Sequence, residues 1–580
     1  MDFEKVIIRI AGLDISQAIR PLVQSFFGNI TFEYFYVSED ELRYEDEKPG
    51  PGECVVSCLF GKDEAFCRVK AESVNAGGNG DSVYRKEESG CETGDNETGK
   101  PELTAETENS VRTEEAGDWG DAVTGKTETE NSVQTEEAVG WGDAGQYVLE
   151  NMLKEMPSDI SEYRYAAGRL VYDLLHRLTG RYLPWGVMVG IRPTKHVYEA
   201  LETGKSEAWI RNRFENELLV SHDRTGLSLD IAKKELSILN RFDYRNGFSI
   251  YIGIPFCPTT CLYCSFTSYP ASRFGHLMDA YLDALEKELV YASELCGKNI
   301  GASGKTGIIY GKKLNTIYVG GGTPTALDEK NLERLMRMIH KYLPVDDTLE
   351  FSVEAGRPDS LNEEKLRILK EYGVTRISIN PQTLNQKTLD IIGRKHSVEQ
   401  VYRAFDMARK AGHENINMDL ILGLTGENVG DVSLTLEGVR KIMPESLTVH
   451  TLAIKRAARL KLENDKYKAM AAEDVAGQSD LAIRFARECG YEPYYLYRQK
   501  NMAENLENIG WSLPGYEGLY NILIMEEKQT ILALGAGATT KLVFPENENG
   551  VRIERIENVK SLTDYISRTD EMVGRKRLWN

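Results

Sequence analysis

The chain has 580 residues, enough for several domains, and 41% of them are hydrophobic, enough for sizeable cores. Its formal net charge of −20 argues against nucleic acid or an anionic membrane surface as partner, but leaves room for a local basic pocket that takes an anionic small molecule. The opening "MDFEKVIIRIAGLD" has acids where a secretory signal carries bases, and no apolar run reaches bilayer length. The expectation is a cytoplasmic protein with no membrane partner, whose nine cysteines stay reduced.

In chain order, "EKVIIRIAG", "ITFEYFYVS", "ECVVSCLF" and "EAFCRVKAE" read as strands of an N-terminal α+β unit over residues 1–70. Cys54, Cys58 and Cys67 in them read as small hydrophobes. Residues 71–145 hold 19 acidic and 5 basic residues, and "TENSVRTEEAGDWGDA" from Thr107 recurs as "TENSVQTEEAVGWGDA" from Thr129. Such a polar tract buries too little apolar surface to offset its ordering entropy, so it reads as a disordered acidic insert. Trp119 and Trp141 could instead anchor a partner. Residues 146–245 read as the helical remainder of the N-terminal domain, with Leu170, Leu174, Leu175 and Leu178 on one helix face. Arg192, Lys195 and His196 follow on what reads as a solvated loop or an anion contact.

Over residues 246–455 the pattern becomes a regular alternation of strands and helices. "FSIYIGIPF", "LNTIYVG", "TLEFSVEA", "VTRISIN", "NINMDLILG" and "SLTVHTLAI" are the six strands. Six β/α repeats imply a parallel, barrel-like sheet, open because a closed barrel takes eight. Ligand sites in such folds lie at the carboxyl ends of strands. Residues 456–580 read as a C-terminal cap over the barrel mouth.

Cys257, Cys261 and Cys264 follow the first of these strands with the spacing C-x3-C-x2-C. A structural zinc site needs four ligands, which only a remote His396 or His450 would complete here. Three thiolates also suit a [4Fe–4S] cluster with one iron left open to a chelating ligand.

The motifs "YIGIPFC", "GGGTPT", "GRKHS" and "NMDLILGL" decide which family the chain resembles. They resemble the radical S-adenosylmethionine (SAM) superfamily, and within it the oxygen-independent coproporphyrinogen III oxidase family, over about Tyr251 to Lys541. "LPWG", "GIRPTK", "YRQKNM" and "LYNILIMEEKQTI" resemble its HemZ branch. The resemblance implies an α/β fold, a partial (β/α)6 radical SAM barrel between an N-terminal α+β domain and a C-terminal HemN-like cap. It implies a [4Fe–4S] cluster on Cys257, Cys261 and Cys264, with S-adenosyl-L-methionine as second cofactor. Tyr251 would flank SAM and Tyr263 would lie against its adenine. Gly321, Gly322 and Thr323 would line its methionine end, and Glu354, Gln382, Arg394 and Asp419 would hold its remaining polar groups.

The implied activity is oxidative decarboxylation of coproporphyrinogen propionates to vinyl groups in anaerobic haem biosynthesis. The implied partners are an anionic tetrapyrrole and a low-potential electron donor such as flavodoxin or ferredoxin. Two positions depart from the family. Phe266 stands where the oxidases carry a further cysteine, and the haem-chaperone branch, HemW, also has Phe there. Lys455 and Arg456 stand where relatives carry Glu-Pro, and would suit a polycarboxylate. The alternatives are therefore a haem-binding chaperone, or another radical reaction on a tetrapyrrole such as anaerobic haem breakdown.

Overall fold

Two large sheets, one in each of two compact units, organise the described chain: residues 1–13 with 31–156, and residues 14–30 with 157–580. This computed structural model describes residues 3–27, 30–39, 42, 49, 53–61, 65–72, 140–141, 146–153, 156–190, 192–296, 309, 311–453, 472–499, 506–544 and 551–577. Most of the acidic tract, Trp119 included, lies outside the described residues, as do Lys455 and Arg456.

The first unit is a six-stranded mixed sheet, ordered β2-β1-β3-β4-β6-β5. Its strands are β1 (Lys5–Gly12), β2 (Thr31–Tyr36), β3 (Glu53–Phe60), β4 (Ala65–Glu72), β5 (Gly140–Trp141) and β6 (Gln146–Leu153). Along β4, buried and half-buried residues alternate strictly, as in a strand with one face on a core. Cys54, Cys58 and Cys67 are all fully buried, as their reading as small hydrophobes requires. The boundaries drawn from composition shift here. Ala71 and Glu72 end β4, Trp141 lies in β5, and β6 pairs with β4 along its whole length. Ladder pairing overrides composition at both ends of the acidic tract, so 146–153 belongs to this sheet and not to a helical remainder.

The second unit takes in the helices Ser16–Phe27, Ile160–Thr179 and His222–Leu239 together with the barrel. The helices expected to finish the N-terminal domain thus pack within the barrel's unit. Its sheet has eleven strands in the order β15-β16-β14-β13-β12-β11-β10-β7-β17-β18-β19. The six parallel barrel strands are β7 (Gly247–Ile254), β10 (Lys313–Gly321), β11 (Glu350–Gly356), β12 (Arg376–Ile379), β13 (Ile416–Leu422) and β14 (Ser446–Thr451). Two two-residue strands, β8 (Phe256–Cys257) and β9 (Tyr269–Pro270), close the cysteine loop on itself. The barrel strands are buried along nearly their whole length, as parallel strands covered by helices must be.

The covering helices are amphipathic. In Glu329–Tyr342 the buried Leu332, Leu335, Met336 and Ile339 recur at helical spacing, and Asp328 caps the first turn by accepting from the Asn331 N–H. Each such side chain stabilises by about 1.5 to 3 kcal/mol, and Leu335→Ala would cost about 2 to 5 kcal/mol.

The C-terminal segment extends the barrel sheet at both of its edges. β15 (Glu492–Tyr497) and β16 (Asn508–Ser512) extend the sheet beyond β14, while β17 (Thr530–Leu534), β18 (Thr539–Val543) and β19 (Ile553–Glu557) extend it beyond β7. Both barrel edges carry unpaired backbone groups that demand partners, and the C-terminal strands supply them. The last helix, Thr569–Arg577, is locked by a buried network in which Glu288 accepts from Lys576, Asn558, Tyr565 and the Gly535 N–H. Among the described residues no helix is long and apolar enough to cross a membrane.

Candidate functional site

The cysteine loop leaves the carboxyl end of β7 and meets the loops after β10, β11 and β12. The Gly322 N–H donates to the Ile254 carbonyl at 2.8 Å and the Thr323 N–H to the Phe256 carbonyl at 2.7 Å. A Cβ on Gly322 would stand 2.6 Å from the Phe256 oxygen, so only glycine permits this approach. Gly321 has φ +107°, and a Cβ there would sit 3.0 Å from the Tyr251 hydroxyl. The "GGG" run is thus a bare cradle laid against the segment that leads into Cys257.

Cys257 and Cys261 are buried and Cys264 is half-buried. The Thr323 hydroxyl donates to Cys257 Sγ at 3.6 Å. Two guanidinium groups reach Cys261 Sγ, Arg394 at 3.8 Å and Arg357 at 3.9 Å. Burial raises the Cys257 thiol above its ordinary range and pushes Cys264 up to about 11, so compensating positive charge is needed for both to ionise. Among the described residues no three His, Cys, Asp or Glu side chains converge on one metal ion. A [4Fe–4S] cluster takes each thiolate on a separate iron, which three thiols on one loop can supply. His396, considered as a remote zinc ligand, is fully buried, with no hydrogen-bond partner on either ring nitrogen. Burial, with Arg394 and Arg357 nearby, pushes it down to about 4.

The polar residues expected around SAM gather at the same strand ends. Tyr251 stacks with Tyr318 and Tyr520, their ring centroids 4.5 to 6.4 Å apart. Tyr318 donates to Glu354 at 2.7 Å. Burial, added to by Asp419, lifts the Glu354 carboxyl to about 7 against the bond from Tyr318. Asp419 is also pushed up by burial, but His450, 3.7 Å away, and the bond from Asn417 outweigh it, and its carboxyl stays below the usual range.

Gln382 adopts φ +74°, a left-handed conformation that costs a non-glycine residue about 1 kcal/mol or more. It is held there by backbone bonds with Asp419 and Ile421, and its buried amide oxygen has no partner. Arg394 donates to the Tyr263 hydroxyl at 3.1 Å and to the Asn380 carbonyl, yet its Nε is unpartnered. Tyr263 packs against an apolar floor of Leu262, Leu389, Ile392 and Leu424.

This geometry fits the implied cofactors. Three thiols share one loop, a glycine cradle adjoins them, Arg394 reaches Cys261, and Asn380, Gln382 and Arg394 each keep a buried polar atom without a partner.

Several residues at the site were not expected from sequence. Arg357, Tyr318, Asn380 and Tyr520 belong to it, and the rule that sites lie at strand ends points to Arg357, one residue past β11. Arg192, a candidate anion contact, is instead committed to Glu527 at 2.6 Å and to the Met525 carbonyl.

Residues 251–438 match the Radical SAM superfamily, whose cofactors are a [4Fe–4S] cluster and SAM. The chain is 39% identical over 406 residues to the oxygen-independent coproporphyrinogen-III oxidase-like protein HemZ of Bacillus subtilis (strain 168), covering 70% of this chain and 78% of that one. It is 40% identical over 207 residues to the heme chaperone HemW of the same organism, covering 36% and 50%. Among solved structures, the coproporphyrinogen III oxidase HemN of Escherichia coli aligns with TM-score 0.44 and 21% identity, over 56% of this chain and 70% of that one. The extent of the HemZ match carries the assignment: the chain belongs to the oxygen-independent coproporphyrinogen-III oxidase-like family of the HemZ type, within the radical SAM superfamily.

Proposed function

We propose that the protein is a radical SAM oxidoreductase that decarboxylates propionate side chains of coproporphyrinogen to vinyl groups. The observation that carries this reading is the meeting, at one barrel mouth, of the three-thiol loop, the glycine cradle and polar groups from separate strand ends. Cys257, Cys261 and Cys264 would hold the cluster. Gly321, Gly322 and Thr323 would line the methionine end of SAM, and Tyr251 and Tyr263 would flank it. When bound, the two cofactors supply one-electron chemistry able to remove a hydrogen atom from an unactivated carbon.

The residues of the chain bind, orient and exclude water. Arg394 keeps a spare Nε donor for a carboxylate, and the Gln382 amide oxygen is free to accept. Glu354 and Asp419 accept from hydroxyl or ammonium donors. The tyrosine stack of Tyr251, Tyr318 and Tyr520 forms a water-poor wall behind them. Lys455 and Arg456 would pair with substrate carboxylates. A flavodoxin or ferredoxin in the cytoplasm would supply the electrons.

One observation favours a second reading, a haem-binding chaperone of the HemW type. Phe266 is 68% exposed beside the cysteine loop, where the oxidases place another thiol. Anaerobic incubation of the reconstituted chain with SAM, a strong reductant and coproporphyrinogen III separates the readings. Vinyl product with release of CO2 is expected. Deoxyadenosine without decarboxylation would instead indicate a different radical reaction on a tetrapyrrole, and tight haem binding without SAM cleavage would indicate the chaperone. A Cys261→Ala variant that kept activity would overturn the ligand assignment.

A further inference from the structure

Arg357 sits just beyond β11, is only 3% exposed, and points into the cysteine loop. Every nitrogen of its guanidinium is engaged. Nε and Nη2 donate to the two carboxylate oxygens of Asp359 at 2.9 and 2.6 Å. Nη1 donates to the Thr259 hydroxyl at 2.6 Å, to the Thr259 carbonyl at 3.2 Å and to Cys261 Sγ at 3.9 Å. Arg394 approaches the same sulfur from the turn that follows the short helix Gln386–Ile391. The Thr259 hydroxyl in turn donates to the Gly393 carbonyl at 3.3 Å, so three loops interlock around one thiol.

The two arginines are not equivalent. Arg394 keeps an unpartnered Nε and can turn part of its charge to a ligand. Arg357 is held more rigidly, because the Asp359 carboxylate fixes its fork and its Nη1 is shared between Thr259 and Cys261 Sγ. Asp359 neutralises the guanidinium, so its reach to Cys261 Sγ puts a fixed donor beside that sulfur without leaving an unpaired buried charge. A donor aimed at a cluster sulfur stabilises the more negative, reduced cluster and raises its potential. Arginine is suited to that role, because its charge cannot be titrated away.

We propose that Arg357, held in place by Asp359, is a positioning residue that orients the Cys261 thiolate and sets the reduction potential of the cluster. The proposal rests on the reading of Cys261 as a cluster ligand.

The test is a redox titration of the anaerobically reconstituted full-length protein, followed by electron paramagnetic resonance, with iron content measured in parallel. Arg357→Gln is expected to keep its iron, to move the midpoint to a more negative potential and to alter the spectrum of the reduced cluster. Arg357→Lys, which keeps the charge but not the fork, should recover part of that shift. Asp359→Asn removes a negative charge at the same place and should move the midpoint in the opposite direction. A purely structural role would not produce shifts of opposite sign. Equal midpoints and spectra in Arg357→Gln and the unaltered protein would overturn the proposal. If Arg357→Gln loses its cluster, the Asp359→Asn titration decides, and a midpoint unchanged there overturns it as well. An unaltered protein that takes up no cluster at all would overturn the ligand reading itself, a separate failure.

Discussion

Gly322→Ala places one methyl group where the structure has no room. The new Cβ would stand 2.6 Å from the Phe256 oxygen, 2.8 Å from the Ile254 oxygen and 3.0 Å from the Pro255 carbonyl carbon. Ordinary contact needs about 3.4 Å or more, so something must move by about 0.8 Å. The obstructing atoms are backbone, not the yielding end of a side chain. They are held by the bonds from Gly322 and Thr323 and by the Tyr269 N–H on the Pro255 carbonyl. Weakening two such bonds at about 1 kcal/mol each, plus about 1 to 3 kcal/mol for overpacking, gives a loss of about 3 to 5 kcal/mol. The displaced segment leads directly into Cys257, so cluster uptake should fall with stability. Urea denaturation of the iron-free protein and iron per chain after reconstitution measure the two effects. Gly226→Ala is the control: it lies in the helix His222–Leu239 with open space around it and should stabilise by up to about 1 kcal/mol. A Gly322→Ala protein matching the unaltered one in midpoint and iron would refute the packing argument.

Glu354, lifted to about 7 chiefly by burial, is mostly protonated below that pH. Because its folded value lies above its unfolded one, its contribution to stability falls as pH rises from about 4.5 through about 7. SAM binding that needs the carboxylate should tighten by up to about tenfold per pH unit below about 7 and level off above it; calorimetry should find this profile flat in Glu354→Gln. Lys576→Met leaves Glu288 buried without its cation and should cost about 3 to 5 kcal/mol by chemical denaturation. Replacing both residues by apolar ones should recover only part of that loss, because Tyr565, Asn558 and the Gly535 N–H would then lose their buried acceptor. His396, pushed down to about 4, binds its proton far more weakly folded than unfolded, so stability should drain away as pH falls from about 6.5 to about 4. His396→Leu should remove that part of the acid sensitivity in melts across this range while leaving the iron content unchanged, whereas a ligand histidine would take metal with it.

The cysteine triplet, the glycine loop, Glu354 and Gln382 could be picked out as candidates because each stands near the end of a strand whose pattern is local, whereas Asp419 lies within β13 and Arg394 in the segment beyond β12. What sequence could not show was reach across loops. Arg357 lies inside the readable string "FSVEAGRPDS", yet its meaning depends on Cys261, 96 positions away. The pairing of the short C-terminal strands was equally hidden. β17 is five residues long, and nothing within it announces that its partner is β7. The helix Ser16–Phe27 carries Pro21 in its interior, where proline removes a bond donor, and it was not among the expected elements. The left-handed backbone of Gln382 is likewise imposed by tertiary bonds, since glutamine has no preference for it.

The pairing of β7 with β17 also sets an order of events during synthesis. β7 delivers the three cysteines and emerges from the ribosome long before β17, its neighbour on one side. Until β17 arrives, the strand beside the nascent metal loop presents a bare ladder of amides and carbonyls, a template for misassembly with other chains. A cluster inserted at that stage would sit on a half-built wall. Iron loading should therefore follow completion of the C-terminal strands, and a chain truncated before Thr530 should be recovered as iron-poor aggregate even though every cofactor-binding residue assigned above is present.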